Sequence, residues 1–430
     1  MYILYSLLLS LALLLSLPWW AVQVLRLGKY RAGLTERLGL VPSRLRREGD
    51  STSIWIHAVS VGEVLAVSHL IHELQKADPA VHVFISTTTA TGQRLARERF
   101  GETKVFFAPL DFSFAVRAYL HVLRPRLVLL AETEFWPNLL HRARQHGAAI
   151  AVVNARISDR SLPRYRGFSW FFRRVLADVD LFLAQTEEDA RRLQAIGALP
   201  ERVHVSGNLK FDVRTSSRAT LAEDLSRAHG ACGKIIVCGS TTEGEEKLLL
   251  EAFEQVLHKF PSAILILAPR HPERFDGVAG LVAASGIPLV RRSAWTGSEQ
   301  VSGAVFLLDT VGELAALYAL ADVAFVGGSL LPGIGGHNIL EPAQFGVAIL
   351  IGPNTYNFRE IVRVFEQGGA VTTVTPGNLS GVLLRLLHDG GERQRLGQRA
   401  RELFLENTGA TSRTLAALEP LLREHTIRVP

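Results

Sequence analysis

Cysteine is nearly absent: Cys232 and Cys238 are the only two in 430 residues. Two are too few for a disulfide framework or a zinc site, and they agree with a reducing compartment. His57, His69 and His72 show no H-E-x-x-H or comparable ligand spacing, so no metal is implied. The glycine-rich turns lack the G-x-G-x-x-G order, and no G-K-[ST] run occurs, which excludes the dinucleotide fingerprint and the P-loop. No low-complexity tract or 20 to 50-residue repeat is evident, so a solenoid or propeller is not expected. Charge is also missing from one end, where nothing ionisable in a side chain precedes Arg26 except Tyr2 and Tyr5.

That uncharged end is almost entirely Leu, Ile, Ala, Val, Ser and aromatic residues over 1–25. It is long enough to cross roughly 30 Å of hydrocarbon at about 1.5 Å per helical residue. A signal peptide begins with a basic segment and ends at small residues, whereas this stretch runs into Pro18-Trp19-Trp20. An uncleaved membrane anchor is expected, with Trp19 and Trp20 at headgroup level. Residues 26–50 follow as a basic juxtamembrane segment. Within it Arg26, Lys29, Arg31, Arg37, Arg44, Arg46 and Arg47 stand against Glu36 up to residue 47, an excess of six that equals the formal net charge of the whole chain, +6. The basic balance is therefore local. It places the body on the cytoplasmic face and favours anionic lipid headgroups as partners, with no nucleic acid expected.

From Ile54 the chain alternates short apolar runs, small-residue loops and helical stretches. Ile54–Val59, Val81–Ser86, Lys104–Phe107, Leu127–Ala131, Ala149–Val153 and Leu181–Ala184 read as strands, with helices such as Glu63–Lys76 and Glu187–Ile196 between them. A polar, turn-rich stretch, 207–226, reads as a linker. The alternation then restarts with Ile235–Gly239, Ala263–Ala268, Ile287–Val290, Val305–Leu308, Val323–Val326, Ala348–Ile351 and Ala370–Thr373, and 377–423 reads as mostly helical. The fold class is α/β, two doubly wound parallel-sheet domains over 51–206 and 227–430. Ligands of such sheets bind at the carboxyl ends of the strands, so a central cleft between the domains is the expected site.

The chain is organised around Val326-Gly-Gly-Ser-Leu-Leu-Pro-Gly-Ile-Gly-Gly-His-Asn-Ile-Leu-Glu341. Its five glycines, between an apolar strand and an expected helix over 339–345, suit a turn whose N–H groups cradle a phosphate. Glu341 is placed to take the hydroxyls of a ribose. Arg270 and His271, in Ala268-Pro-Arg-His-Pro272, suit a nucleotide phosphate and base. Asp309-Thr-Val-Gly-Glu313 and Thr242–Glu246 add further strand ends with N–H groups expected to be available.

In the first half, Ser60-Val-Gly-Glu63 puts Glu63 in the first turn of a helix, where the dipole is expected to keep it ionised as a general base. Glu132 and Glu134, two apart after a strand, are read as sharing one face in extended backbone and as stabilising an oxocarbenium-like centre or holding hydroxyls. Trp136 before Pro137 reads as packing. Arg156 and Arg160 are candidate anion ligands, and Lys210 is a point charge near the domain junction. Asp178-Val-Asp180 has the D-x-D spacing of metal-dependent glycosyltransferases but precedes its strand, and reads as a turn.

Seven ordered motifs carry a resemblance: His57-Ala-Val-Ser-Val-Gly-Glu63, Thr87-Thr-Thr-Ala-Thr-Gly92, Glu132-Thr-Glu-Phe-Trp-Pro-Asn138, Asn154-Ala-Arg-Ile-Ser-Asp159, Gly207-Asn-Leu-Lys-Phe-Asp212, Pro269-Arg-His-Pro272 and Gly335-Gly-His-Asn-Ile-Leu-Glu341. Over nearly its full length the chain resembles the 3-deoxy-D-manno-octulosonic acid (Kdo) transferases of lipid A biosynthesis. The resemblance implies a GT-B architecture, two Rossmann-like domains with the last helices crossing back to the first. It implies inverting transfer of Kdo from CMP-Kdo to lipid IVA at the inner membrane, with no metal and no cofactor. It makes Glu63 the base, Glu132 and Lys210 transition-state stabilisers, and Arg270, His271, Val311, Gly312, Glu313, Asn338, Ile339, Leu340 and Glu341 the CMP site. Ile339 and Gln344 depart from the family's pattern. Two other readings use the same fold: a sugar-nucleotide 2-epimerase, which needs no anchor, and a tethered binding protein, in which Glu63 would be dispensable.

Overall fold

Apolar runs with no polar alternation need cover on both faces. The computed structural model, which describes residues 1–25, 33–46, 52–159, 161–212, 219–229, 233–297 and 299–423, supplies that cover in two units. Met1–Val213 with Thr408–Pro430 forms one, and Arg214–Asn407 the other.

The first unit holds β1 (Ser53–His57), β2 (His82–Thr87), β3 (Val105–Phe107), β4 (Leu127–Ala131), β5 (Ala149–Ala155), β6 (Leu181–Ala184) and β7 (Val203–Val205). All pair in parallel in the order β3-β2-β1-β4-β5-β6-β7. Successive side chains face opposite ways. Trp55, Val128, Leu130, Ile150 and Val152 therefore enter one core, and Ile54, Ile56, Leu127, Leu129, Ala149 and Ala151 the other.

The second unit holds β8 (Ile235–Thr241), β9 (Ile264–Pro269), β10 (Leu289–Arg291), β11 (Val305–Leu307), β12 (Val323–Val326), β13 (Ala348–Ile351) and β14 (Val371–Thr373), parallel in the order β10-β11-β9-β8-β12-β13-β14. Here too the faces alternate: Ile236, Cys238, Leu265 and Leu267 pack on one side, Ile235, Val237, Ile264 and Ile266 on the other.

In the first sheet the order reverses between β1 and β4; in the second it reverses between β8 and β12, and β10 and β11 are exchanged at the edge. Crossovers leave those two carboxyl edges in opposite senses and open a crevice there. The strand order thus marks one candidate site in each unit.

Three expectations change. The basic segment is not a free flank: Leu45 is fully buried, and Arg44 donates to Glu36 Oε1 (2.7 Å) and to the carbonyls of Glu102 and Val105. Arg37 donates to the Thr88 carbonyl and lies over the Phe107 ring. Arg46 is exposed, whereas Arg26, Lys29, Arg31 and Arg47 lie outside the described residues. Second, the stretch 207–226 is divided between the units instead of forming a linker. The turn Leu209–Asp212 is packed into the first, where Asp212 accepts the N–H groups of Gly409 (2.6 Å) and Thr411 and so caps the helix Ala410–Arg423. The helix Ala219–His229 belongs to the second, and 213–218 lie outside the described residues.

Third, the N-terminal helix Tyr2–Leu25, whose side chains are described as far as Leu17, is tied to the first unit at its start. The Tyr2 hydroxyl donates to Asp178 (2.8 Å), its ring stacks on His141 at 3.8 Å, and Asn138 donates to Ser6 Oγ (3.1 Å). Among the described residues no helix is long and apolar enough to cross a membrane.

Candidate functional site

At the reversal point of the first sheet, β1 stops at His57, two residues short of the expected end, because the chain turns to begin the helix Val61–Ala77. Ser60 is its N-cap, and Glu63 reaches back: Oε2 accepts the Val59 N–H (2.7 Å) and Oε1 accepts the Ser60 hydroxyl (2.8 Å). The arrangement is a capping box displaced by one residue, with the Val59 N–H in place of the N-cap's own, and it fixes the carboxylate in one orientation. Each oxygen accepts one bond, which leaves a lone pair on each for a further proton.

Glu63 is only 7 % exposed, and burial, followed by the neighbouring charge of Glu132, pushes its pKa up to about 7. The helix terminus therefore does not hold the carboxyl in the ordinary carboxylate range, because burial outweighs it. A helix dipole supplies about 0.3–1 kcal/mol, less than one pKa unit of about 1.4 kcal/mol, whereas desolvation of a buried carboxyl shifts several units.

Across the reversal point β4 ends in a turn, not in extended backbone. Glu132 has φ +59, so Glu132 and Glu134 do not share a strand face as expected. Glu132 Oε1 lies 3.3 Å from Lys210 Nζ, while Glu134 accepts from the Trp136 indole N–H at 3.0 Å. Burial also raises the Glu134 carboxyl. Trp136 packs and starts the helix Pro137–Gln145.

Lys210 is held by a residue that the sequence reading quoted without assigning it a role. Asn154, next to last in β5, has φ +55, and its side-chain oxygen accepts the Leu209 N–H (3.0 Å), which seats the turn carrying Lys210. An Asn directly after an expected strand, a residue type enriched in left-handed backbone, is the sequence signal that could have found it. Arg156 is half-buried near Asp189, and Arg160 lies outside the described residues. Asp180 accepts from Arg144 (2.6 Å) and the Ile150 N–H, so the D-x-D pair is structural.

At the reversal point of the second sheet, β11, β9, β8 and β12 are neighbours, so the strand ends carrying Asp309–Glu313, Arg270–His271, Thr242–Glu246 and the glycine-rich stretch lie side by side. The first part of the glycine-rich stretch is not open to a phosphate. The N–H groups of Gly328, Ser329 and Leu330 all donate to the buried carboxylate of Glu245. Gly327 is needed because a Cβ there would lie 2.5 Å from the Ser240 carbonyl. The expected helix over 339–345 is a single turn, Leu340–Ala343, followed by the left-handed Gly346, so its dipole adds little. Nor is the Thr242 N–H available, since it donates to Glu245.

What remains open to an anion is the later arm, apart from the Gly336 N–H, which donates to the Gly328 carbonyl at 2.7 Å. Gly335 and Gly336 have φ +93 and +79, and His337 follows with its Nε2 buried and unpartnered. Burial, then the nearby positive charges of Arg270 and His271, lowers the His337 pKa to about 4. Asn338 Oδ1 accepts the Leu340 N–H (3.1 Å), and its amide faces Glu341 at 3.5 Å. Burial raises the Glu341 carboxyl, opposed by Asn338 and Arg270. Ile339 and Leu340 are buried, so their side chains belong to the core rather than to a ligand. Val311 is 79 % exposed, Gly312 has φ +91, and Glu313 is paired with Arg292 (3.0 Å) and Thr310. Asp309 is bound by Arg291 and Ser293 and is structural. Among the described residues no three His, Cys, Asp or Glu side chains group as a metal-binding set.

The sequence matches a family profile described as 3-deoxy-D-manno-octulosonic-acid transferase (kdotransferase) over residues 32–213 and one described as glycosyl transferases group 1 over 241–403. It is 37 % identical to a 3-deoxy-D-manno-octulosonic acid transferase of Bordetella pertussis, covering 89 % of this chain and 91 % of that one. It is 34 % identical to the Haemophilus influenzae enzyme of that name, covering 92 % and 93 %. In fold it is similar to the UDP-GlcNAc 2-epimerase of Neisseria meningitidis, with TM-score 0.56, 14 % identity and coverage of 86 % of this chain and 100 % of that one.

Proposed function

The chain belongs to the 3-deoxy-D-manno-octulosonic acid (Kdo) transferase family, and from that premise we propose that it moves Kdo from CMP-Kdo to lipid IVA by inverting, metal-independent transfer. The observation that carries the chemistry is Glu63, a buried carboxyl raised to about 7 with a lone pair to spare on each oxygen. A base is most effective when its pKa lies near the working pH. Glu63 takes the proton of the acceptor's primary hydroxyl as that oxygen bonds to the anomeric carbon of Kdo. The bond from that carbon to the phosphate breaks, and CMP leaves with the electron pair. Inversion follows from attack on the face opposite the leaving group.

Positive charge gathers on the sugar ring in such a transfer. Glu132 is the carboxylate assigned to it, and Lys210, which spends one of its N–H donors on Glu132, has others for an anionic group of Kdo or of the leaving phosphate. In the second unit Arg270, His271, the arm Gly335–Asn338 and Glu341 take the phosphate and ribose of CMP. Val311, Gly312 and Glu313 offer an exposed edge to the base.

The acceptor is a lipid, and the N-terminal helix exposes Leu4, Leu7, Leu8, Leu11, Leu14 and Leu15. We place this face against the cytoplasmic leaflet of the inner membrane, where anionic headgroups meet Arg46. Because Tyr2 and Ser6 are bonded to the body, the first turn stays on the body's side instead of crossing, which replaces the single span expected from hydropathy.

Purified protein given CMP-Kdo and lipid IVA should yield a Kdo-bearing lipid by mass spectrometry, with the anomeric configuration inverted by NMR and the rate unchanged in EDTA. Free Kdo with no lipid adduct, or an epimerised sugar nucleotide, would refute the transfer.

A further inference from the structure

Two carboxylates in the second unit are wholly buried and have no part in the chemistry proposed above. Glu245 and Glu246 open the helix Glu245–Lys259, and both are 0 % exposed. A buried carboxylate is costly unless its lone pairs are filled. Glu245 fills them with five donors. Its Oε2 accepts the N–H of Thr242 (2.9 Å), the hydroxyl of Thr242 (2.9 Å) and the N–H of Gly328 (2.7 Å). Its Oε1 accepts the N–H groups of Ser329 (3.1 Å) and Leu330 (2.9 Å).

Successive backbone N–H groups turned inward form a nest of the kind that holds phosphate. Here the chain's own carboxylate fills it. The nest is in turn joined to the arm that follows, since the Gly336 N–H donates to the Gly328 carbonyl at 2.7 Å. The Asn354 N–H (2.9 Å) and the Gly352 N–H (2.8 Å) reach the Ser329 carbonyl and hydroxyl from the other side.

Glu246 does the same for the neighbouring loop. It accepts both arms of the Arg274 guanidinium, at 2.6 and 3.0 Å, together with the Thr241 hydroxyl (2.9 Å). Arg274 closes the turn Pro272–Arg274 directly after Arg270 and His271, and the Arg270 N–H donates to the Thr241 carbonyl (2.9 Å). A two-point guanidinium contact fixes orientation as well as distance.

We propose that Glu245 and Glu246 are positioning residues for donor binding: one helix turn sets the register of the two loops that take the nucleotide phosphate, and the phosphate is read by Gly335–Asn338 with Arg270 and His271, not by the amides of 328–330. The inference rests on the CMP reading of this unit. It predicts that donor affinity, rather than the chemical step, depends on these carboxylates.

The test uses full-length protein and CMP. Glu245→Gln keeps the shape but turns an NH2 group against N–H donors. The expected result is a tenfold or larger rise in the CMP Kd by calorimetry and a matching rise in KM for CMP-Kdo. kcat stays within threefold, and KM for the acceptor is unchanged. Glu246→Gln should act in the same direction, more weakly. A second measurement needs no variant: by hydrogen exchange in the wild type, the amides of 328–330 and of Gly336 are protected without ligand and gain nothing from CMP, whereas those of Gly335, His337 and Asn338 gain protection. If wild-type protein binds CMP while the folded Glu245→Gln protein binds it within twofold as tightly, or if CMP chiefly protects 328–330, the inference is overturned. Failure of the wild type to bind CMP at all would instead overturn the reading on which it rests.

Discussion

Lys210 Nζ lies 3.3 Å from Glu132 Oε1, an ion pair between groups 78 residues apart in sequence. Two backbone devices bring them together: the left-handed turn of Glu132 at the end of β4 and the Asn154-seated turn that carries Lys210. Both side chains keep about a quarter of their surface exposed, so the pair is accessible to a ligand and, by itself, contributes little to stability.

Replacing Lys210 with Met should therefore leave the urea midpoint nearly unchanged while lowering kcat by about 10²–10³, the usual cost of removing one donor from a developing charge. Lys210→Arg should recover part of that loss. A Met variant that transfers at the wild-type rate would remove Lys210 from the site.

The pH dependence follows from Glu63. With its carboxyl at about 7, kcat/KM should rise with pH through that value as the base loses its proton, and flatten above it. Glu132 is one cause of the raised value, so in Glu132→Gln protein the rising limb should move to lower pH, even though the rate is reduced. A limb that stays in place would show that another group titrates.

Stability should carry the same signature. A carboxyl raised from about 4.5 to about 7 on folding binds its proton more tightly in the folded state. Its contribution is fully present below 4.5 and is lost as pH rises through 7. Glu63→Gln removes that loss. Its Tm should exceed that of the wild type at pH 8, by an amount corresponding to roughly 1–3 kcal/mol, and the difference should close near pH 4.5. Equal pH dependence of the two melting curves would contradict the assignment.

Asn154 supports the first unit's candidate site from behind, through the turn that carries Lys210. Alanine there leaves the Leu209 N–H without its acceptor and places a Cβ residue that lacks a local polar contact at φ +55. A loss of about 1–3 kcal/mol in urea unfolding is expected, together with lowered kcat through Lys210. Asn154→Gly should relieve the strain and restore part of the stability but not the rate.

Much of the fold was legible because both sheets are buried on two faces, and their apolar runs stand out between loops. β7 was missed because it is three residues long with two of them exposed. The surroundings of Glu63 were legible in part, since the strand end and Ser60-x-x-Glu63 read directly from local rules. Hydrogen-bond partners across sequence distance were not. Nothing near 328–330 announces that Glu245 fills that nest, and nothing in the charge count of 26–47 shows that Arg37 and Arg44 are spent on Thr88 and Glu36. Hydropathy likewise showed an apolar helix but not the bonds that hold its first turn to Asp178 and Asn138.

The most direct measurement is single-turnover transfer of Kdo to lipid IVA by Glu63→Gln protein, with CMP binding followed on the same preparation. Loss of the base predicts a rate lower by about 10²–10⁴ with the CMP Kd unchanged. A variant that binds CMP normally and transfers within threefold of the wild-type rate would show that Glu63 only caps its helix.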